Sequence, residues 1–185
     1  MNILEESKRW HDDAEALIKD SKITDLLKQY GEVTLTGSHT YDLMLNSDID
    51  FFIGNENPTK ELADELAIKL INSGYWNSLM YCNWPTNDPP GPYFCIKREF
   101  RGHKWKIDIM ITTPNKIAEL VPPRELYANL PNDKKEAILE LKAAKADGLL
   151  PKDIEAVTIY DAVIKDNIHG LDAFKQRLDK KLKSV

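Results

Sequence analysis

A chain of 185 residues with 42% hydrophobic and 30% charged side chains is long enough for one well-buried domain with a helical appendage, and too short for two large ones. Its formal net charge of −5 argues against a broad electrostatic footprint for duplex DNA or long RNA. A small polyanionic ligand stays compatible, provided metal ions and a local basic patch offset the repulsion. The opening run MNILEESKRWHDDAEAL is too charged for a signal peptide, and no apolar stretch approaches the roughly 20 residues needed to cross a bilayer, so a cytoplasmic location is expected.

Apolar positions Trp10, Ala14, Leu17 and Ile18, then Ile23, Leu26, Leu27 and Tyr30, predict helix in two phases with a break at Asp20-Ser21. Gly31 ends this segment. Glu32 to Thr36 (EVTLT) reads as a strand running straight into Gly37-Ser38. Asp48 to Ile53 (DIDFFI) alternates, with Asp48, Asp50 and Phe52 on one face and Ile49, Phe51 and Ile53 on the other. Asn57-Pro58 is a helix-start signal, and Leu62, Leu66, Leu70 and Ile71 form the stripe of the helix that follows, which stops at Gly74.

Tyr75 to Trp84 reads as an aromatic-rich strand leading into the rigid stretch Pro85 to Pro92. Tyr93 to Phe100 and Lys104 to Thr112 read as two strands joined by a hairpin turn at Arg101-Gly102-His103. In the second, Trp105, Ile107, Ile109 and Ile111 share one face, and Lys106, Asp108 and Met110 the other. From Pro114 the pattern becomes helical, with starts expected after Pro131 and Pro151 and a last helix carrying Leu171, Phe174, Leu178 and Leu182. The expected organisation is a core over residues 1–113, N-terminal helix included, and a C-terminal helical region over 114–185 packed on it. Cys82 and Cys95 lie in strands and read as small packing residues of a reducing compartment; no histidine spacing near them supports a zinc site.

Three features carry chemistry. Gly37 lets the backbone turn tightly and approach a ligand, and Ser38 adds a hydroxyl beside amides that can face phosphate oxygens. Asp48 and Asp50, two apart on a strand, emerge on one face about 7 Å apart at the backbone. Like charges so placed raise one another's pKa unless a cation sits between them, and Mg²⁺ takes one or two carboxylates together with phosphate oxygens. Asp108 is the third member. Its neighbours Ile107 and Ile109 face the opposite side, so adjacent strands would bring all three carboxylates onto one polar face, close enough to share metal ions. Such a convergence is costly without a cation.

The run LTGSHTYDLMLNSDIDFFI (Leu35 to Ile53), together with WKIDIMI (Trp105 to Ile111), resembles the DNA polymerase beta-like nucleotidyltransferase superfamily. The matching part covers Glu32 to Thr112. Its spacer carries His39, Thr40, Tyr41 and Asp42 where small members commonly have Gly-Ser-x-Ala-x-Gly. The resemblance implies an α+β nucleotidyltransferase fold, with a mixed or antiparallel sheet of about four to five strands, flanking helices and a C-terminal helical part.

It further implies that Asp48, Asp50 and Asp108 bind two divalent ions, Mg²⁺ or Mn²⁺. Gly37 and Ser38 would hold the β- and γ-phosphates of a nucleoside triphosphate, and Asp108 would help deprotonate an acceptor hydroxyl. Lys106, on Asp108's face, could pair with a carboxylate or a phosphate. His39, beside Ser38, is a candidate phosphate or acceptor contact, and Trp84 and Tyr93 are candidates to stack on a ring.

The expected activity is transfer of a nucleoside monophosphate to a hydroxyl of a small-molecule or protein acceptor, with release of pyrophosphate. Small size and acidic charge point away from an extended nucleic-acid partner. Two other readings stand beside it: a catalytically inactive nucleotide-binding or toxin–antitoxin-type module with the same fold, and a domain whose aspartates are surface residues without metal.

Overall fold

The structure is a computed structural model, and it describes residues 2–84, 91–122, 126–127 and 129–182, with backbone alone at 84, 181 and 182. Residues 85–90, most of the Pro85 to Pro92 stretch, and the side chain of Trp84 lie outside the described residues. No helix is long and apolar enough to cross a membrane among the described residues.

The N-terminal helical segment divides where its two phases meet: α1 spans Ile3–Ser21 and α2 spans Ile23–Leu27, with Lys22 between them in the left-handed region at φ 54°. Asn2 and Glu5 close a capping box at the start of α1, satisfying two otherwise orphaned amides. Strand β1 (Glu32–Thr36) leads into the single turn α3 (Gly37–Thr40), and β2 (Asp48–Gly54) follows.

Helix α4 (Lys60–Asn72) begins two residues after Pro58, because the Thr59 side chain accepts from the Leu62 amide and serves as its cap. Its buried stripe is Ala63, Leu66, Ala67 and Leu70. Ile71, expected in that stripe, is 63% exposed, since one step of about 100° past Leu70 turns it to solvent.

Strands β3 (Ser78–Trp84), β4 (Gly91–Phe100) and β5 (His103–Thr112) complete a five-stranded mixed sheet of order β1-β2-β5-β4-β3. The β4–β5 hairpin closes through Arg101 and Gly102, both at positive φ, the twist that two-residue hairpins favour. All neighbours are antiparallel except β2 and β5, which run parallel. Helices α5 (Pro114–Leu120), α6 (Asn132–Ala146), α7 (Ala156–Ile164) and α8 (Leu171–Leu182) follow. This is a mixed α/β molecule with helices flanking the sheet.

Two hydrophobic clusters hold it together. The first joins one sheet face to α1, α2 and α4; Trp105, Ile107, Ile109 and Ile111 of the central strand are wholly buried in it. Each such aliphatic side chain contributes about 1.5–3 kcal/mol relative to exposure. The second binds α6, α7 and α8 around Ile138, Val163 and Phe174, and it draws in Tyr41 and Leu43 from the loop after α3. That loop therefore lies between the two clusters. Cys82 and Cys95 are free thiols.

Candidate functional site

Alternation decides which side chains of β2 and β5 face away from the first cluster. Ile49, Phe51 and Ile53 are buried against it, as are Ile107, Ile109 and Ile111, so Asp48, Asp50, Lys106 and Asp108 face the other side. The parallel register pairs Asp50 with Asp108 and Asp48 with Lys106. Neighbouring strands lie about 4.8 Å apart, which puts four charged side chains on one small patch.

Lys106 sits between two of the acids. Its Nζ is 3.0 Å from Asp108 Oδ2 and 3.8 Å from Asp48 Oδ2. Tyr93 of β4 donates from its hydroxyl to Asp108 Oδ1 at 2.7 Å, and Asn46 donates to Asp48 Oδ2 at 2.9 Å. Tyr93 thus orients a carboxylate instead of standing free as a stacking platform. Burial and the neighbouring acid raise its phenol above the ordinary range.

Asp50 is the carboxylate with no such partner in hydrogen-bond range among the described residues. Burial first, then the charges of Asp108 and Asp48, push its pKa up to about 6, while Lys106 and Lys142 pull weakly the other way. Asp48 is raised by the same dominant cause, burial.

The Gly-Ser turn closes over Asp50. Gly37 sits at φ 73°, and a Cβ there would lie 2.4 Å from Asp50 Oδ2, so only glycine admits the carboxylate in this position. Ser38 follows, its carbonyl accepting from the Leu43 amide at 2.9 Å.

Both residues open into a cleft of about 640 Å³, whose walls also include Asp48, Asp50, Tyr41, Tyr127, Tyr160, Lys142, Lys145 and Lys152. The helical half therefore forms the wall opposite the acids. Lys142 of α6 is the sharpest member: burial pulls its pKa down to about 8 against the opposing pull of Asp48 and Asp50. Its ammonium donates to the Leu43 carbonyl and lies 5.9 Å from the Tyr160 ring centre. Tyr41, Tyr127 and Tyr160 meet edge to face beside it.

The candidates that the sequence singles out therefore divide by place; Asp48, Asp50, Gly37 and Ser38 line the cleft, while Asp108 and Lys106 sit on the adjoining strand in contact with them. His39 does not join them. It is 3% exposed, stacked on His11 at 4.5 Å with Nε2 2.9 Å from Glu15 Oε1, on the α1 side of the turn. One helical step beyond Ser38 rotates the His39 side chain toward α1, away from the cleft where a phosphate contact was expected. Burial, then the neighbouring His11, lowers its pKa.

Among the described residues, the group of three metal-ligating side chains with donor atoms all within 4.8 Å is His11, Glu15 and His39, not the aspartates.

Lys142, Lys145 and Tyr160 were missed by sequence reasoning. A signal for Lys142 exists: it lies three and four residues after Leu139 and Ile138, on the buried stripe of α6, where a lysine is out of place without a role.

No known protein family matches the chain, and no curated protein does. Solved structures do match. The Cid1 poly(U) polymerase with Mg and 3′-dATP bound aligns at 18% identity and TM-score 0.51, over 71% of this chain and 40% of its own. The non-canonical poly(A) polymerase complex GLD-2–GLD-3 aligns at 15% identity and TM-score 0.57, over 89% and 58%. The GLD-2/RNP-8 complex aligns at 14% identity and TM-score 0.51, over 87% and 54%. This chain thus spans about 40% to 58% of the length of these three structures. At such identities the likeness shows the fold. It is the mixed α/β fold shared with these polymerase structures.

Proposed function

We propose that the chain is a metal-dependent nucleotidyltransferase that moves a nucleoside monophosphate from a nucleoside triphosphate to an acceptor hydroxyl, releasing pyrophosphate. The observation that carries this reading is the parallel register of β2 and β5, which sets Asp50 beside Asp108 with Asp48 two residues away, under a glycine that only the absence of a Cβ allows to lie there.

The donor set fits a hard divalent cation. All three side chains are carboxylates, and Asp50 is half-buried without a hydrogen-bonding partner among the described residues, as its raised pKa reflects. Asp48, Asp50 and Asp108 would hold Mg²⁺ or Mn²⁺, in two ions as the resemblance implies, and bound metal would neutralise the triphosphate and the leaving pyrophosphate.

The chain's own groups then divide the work. Gly37 and Ser38 offer backbone and hydroxyl to phosphate oxygens. Lys142 and Lys145, across the cleft, add positive charge on the side away from the acids. Tyr93 holds Asp108 in the orientation from which it can accept the acceptor hydroxyl's proton. Lys106 bridges Asp48 and Asp108 and offsets part of the electrostatic cost of placing them together.

Two of the comparison structures are named as a poly(U) and a poly(A) polymerase. For this chain, a net charge of −5 and a cleft whose cations face the acids support an acceptor smaller than a nucleic-acid track, a small molecule or a protein hydroxyl. Incubation with each nucleoside triphosphate, Mg²⁺ and a panel of acceptors, RNA included, tests the reading. Pyrophosphate release with a matching mass gain on an acceptor is expected, abolished by Asp50→Ala. Nucleotide binding without turnover across the panel would point instead to an inactive binding module.

A further inference from the structure

On the reverse side of the Gly-Ser turn lies a second group of ligating side chains that the reaction above does not use. His11 and Glu15 are one helical turn apart on α1, and His39 approaches them from α3. One donor atom from each lies within 4.8 Å of the others. The two imidazoles stack at 4.5 Å with planes 16° apart, and His39 Nε2 is 2.9 Å from Glu15 Oε1.

Two details separate this group from an ordinary buried histidine. His39 is 3% exposed, yet its Nδ1 has no hydrogen-bond partner among the described residues, and Nε2 meets only the Glu15 carboxylate. Buried polar atoms are normally satisfied, so an imidazole in that state is short of a ligand. His11, in contrast, has its Nδ1 engaged, 3.2 Å from the His39 carbonyl and 3.4 Å from Asp42 Oδ1. That is the outer contact which metal-bound histidines use to fix their tautomer, and it leaves Nε2 as the free donor. Asp42 is itself held in place by Lys135 at 3.0 Å.

From this geometry we propose that His11, Glu15 and His39 form a binding site for a zinc-class transition-metal ion, distinct from the carboxylate site. Two imidazoles and one carboxylate suit Zn²⁺, with water as a fourth ligand, and do not suit Mg²⁺, which prefers oxygen. A tetrahedral ion needs donor separations of roughly 3.3 Å; Glu15, half exposed, can rotate to supply them. Bound metal would tie α1 to the turn that carries Gly37 and Ser38.

The test uses the full chain, stripped with chelator and titrated with Zn²⁺ against a chromophoric competitor, and separately with Co²⁺. One tight Zn²⁺ per chain and the intense visible absorption of four-coordinate Co²⁺ are expected. Glu15→Gln and His11→Ala alter partly exposed side chains and should leave the circular dichroism unchanged while weakening Zn²⁺ binding by at least about tenfold. Asp50→Asn should bind Zn²⁺ at this site as the unaltered chain does. Zn²⁺ binding undiminished by Glu15→Gln and His11→Ala, loss of the tight site in Asp50→Asn alone, or no tight Zn²⁺ at all would each overturn the proposal.

Discussion

The two walls of the cleft are built by different rules. The acidic wall comes from strands, where a period of two and a parallel register place Asp48, Asp50 and Asp108 on one face with little freedom. The basic wall comes from helices of the second cluster, where Lys142, Lys145 and Tyr160 reach the cleft through the packing of α6 and α7 against the loop after α3. A carboxylate patch on a sheet can be anticipated from alternation. A cation supplied by a helix far along the chain depends on how that helix docks.

If the acidic wall does the chemistry and the basic wall holds phosphate, substitutions on the two should differ in kind. Asp50→Asn keeps shape and removes charge, and should lower kcat by about 10³-fold with little change in affinity for nucleotide measured with metal excluded. Lys142→Met preserves the aliphatic stem and should lower kcat/KM by about 10²-fold, chiefly through KM for the triphosphate. Equal kcat losses in both variants would erase the distinction between the walls. Tyr93→Phe frees Asp108 from its 2.7 Å hydrogen bond and should cost about tenfold in kcat, steady-state kinetics being the measurement for all three.

A further effect is on stability, and its sign is diagnostic. Asp50 titrates near 6 in the folded chain, above its unfolded value, so the folded state holds a proton that the unfolded chain has released. Stability from this group is fully present below the unfolded pKa and is lost as pH rises through about 6. With divalent cations chelated, Asp50→Asn should therefore raise Tm by several degrees at pH 7.5, from about 2–3 kcal/mol, and by little at pH 4. Thermal melts at the two pH values read the difference directly. An equal shift at both would mean that Asp50 carries no such burden.

These walls also differ in how far the sequence exposed them. Strand β5 shows why the acidic one was legible: aliphatic residues at 107, 109 and 111 leave residue 108 no face but the polar one. The Gly37-Ser38 turn gained its place from the same strands, since Gly37 lies against Asp50. His39 shows the limit. Adjacency to Ser38 in the chain pointed to the cleft, but one helical step of about 100° between them turned its side chain away and placed it against His11 and Glu15. Lys142 shows another, since its meaning depends on a tertiary contact with the Leu43 carbonyl that no local pattern encodes. The two-phase helix over residues 3–27 was readable because its break coincides with the shift in apolar spacing.

The most direct test of the central claim is a crystal soaked in Mn²⁺ with a non-hydrolysable nucleoside triphosphate. An anomalous peak coordinated by Asp48 and Asp50 is expected, with the triphosphate running past Gly37 and Ser38 toward Lys142. Triphosphate bound elsewhere, or no Mn²⁺ at Asp48 and Asp50 at millimolar concentration, would contradict it.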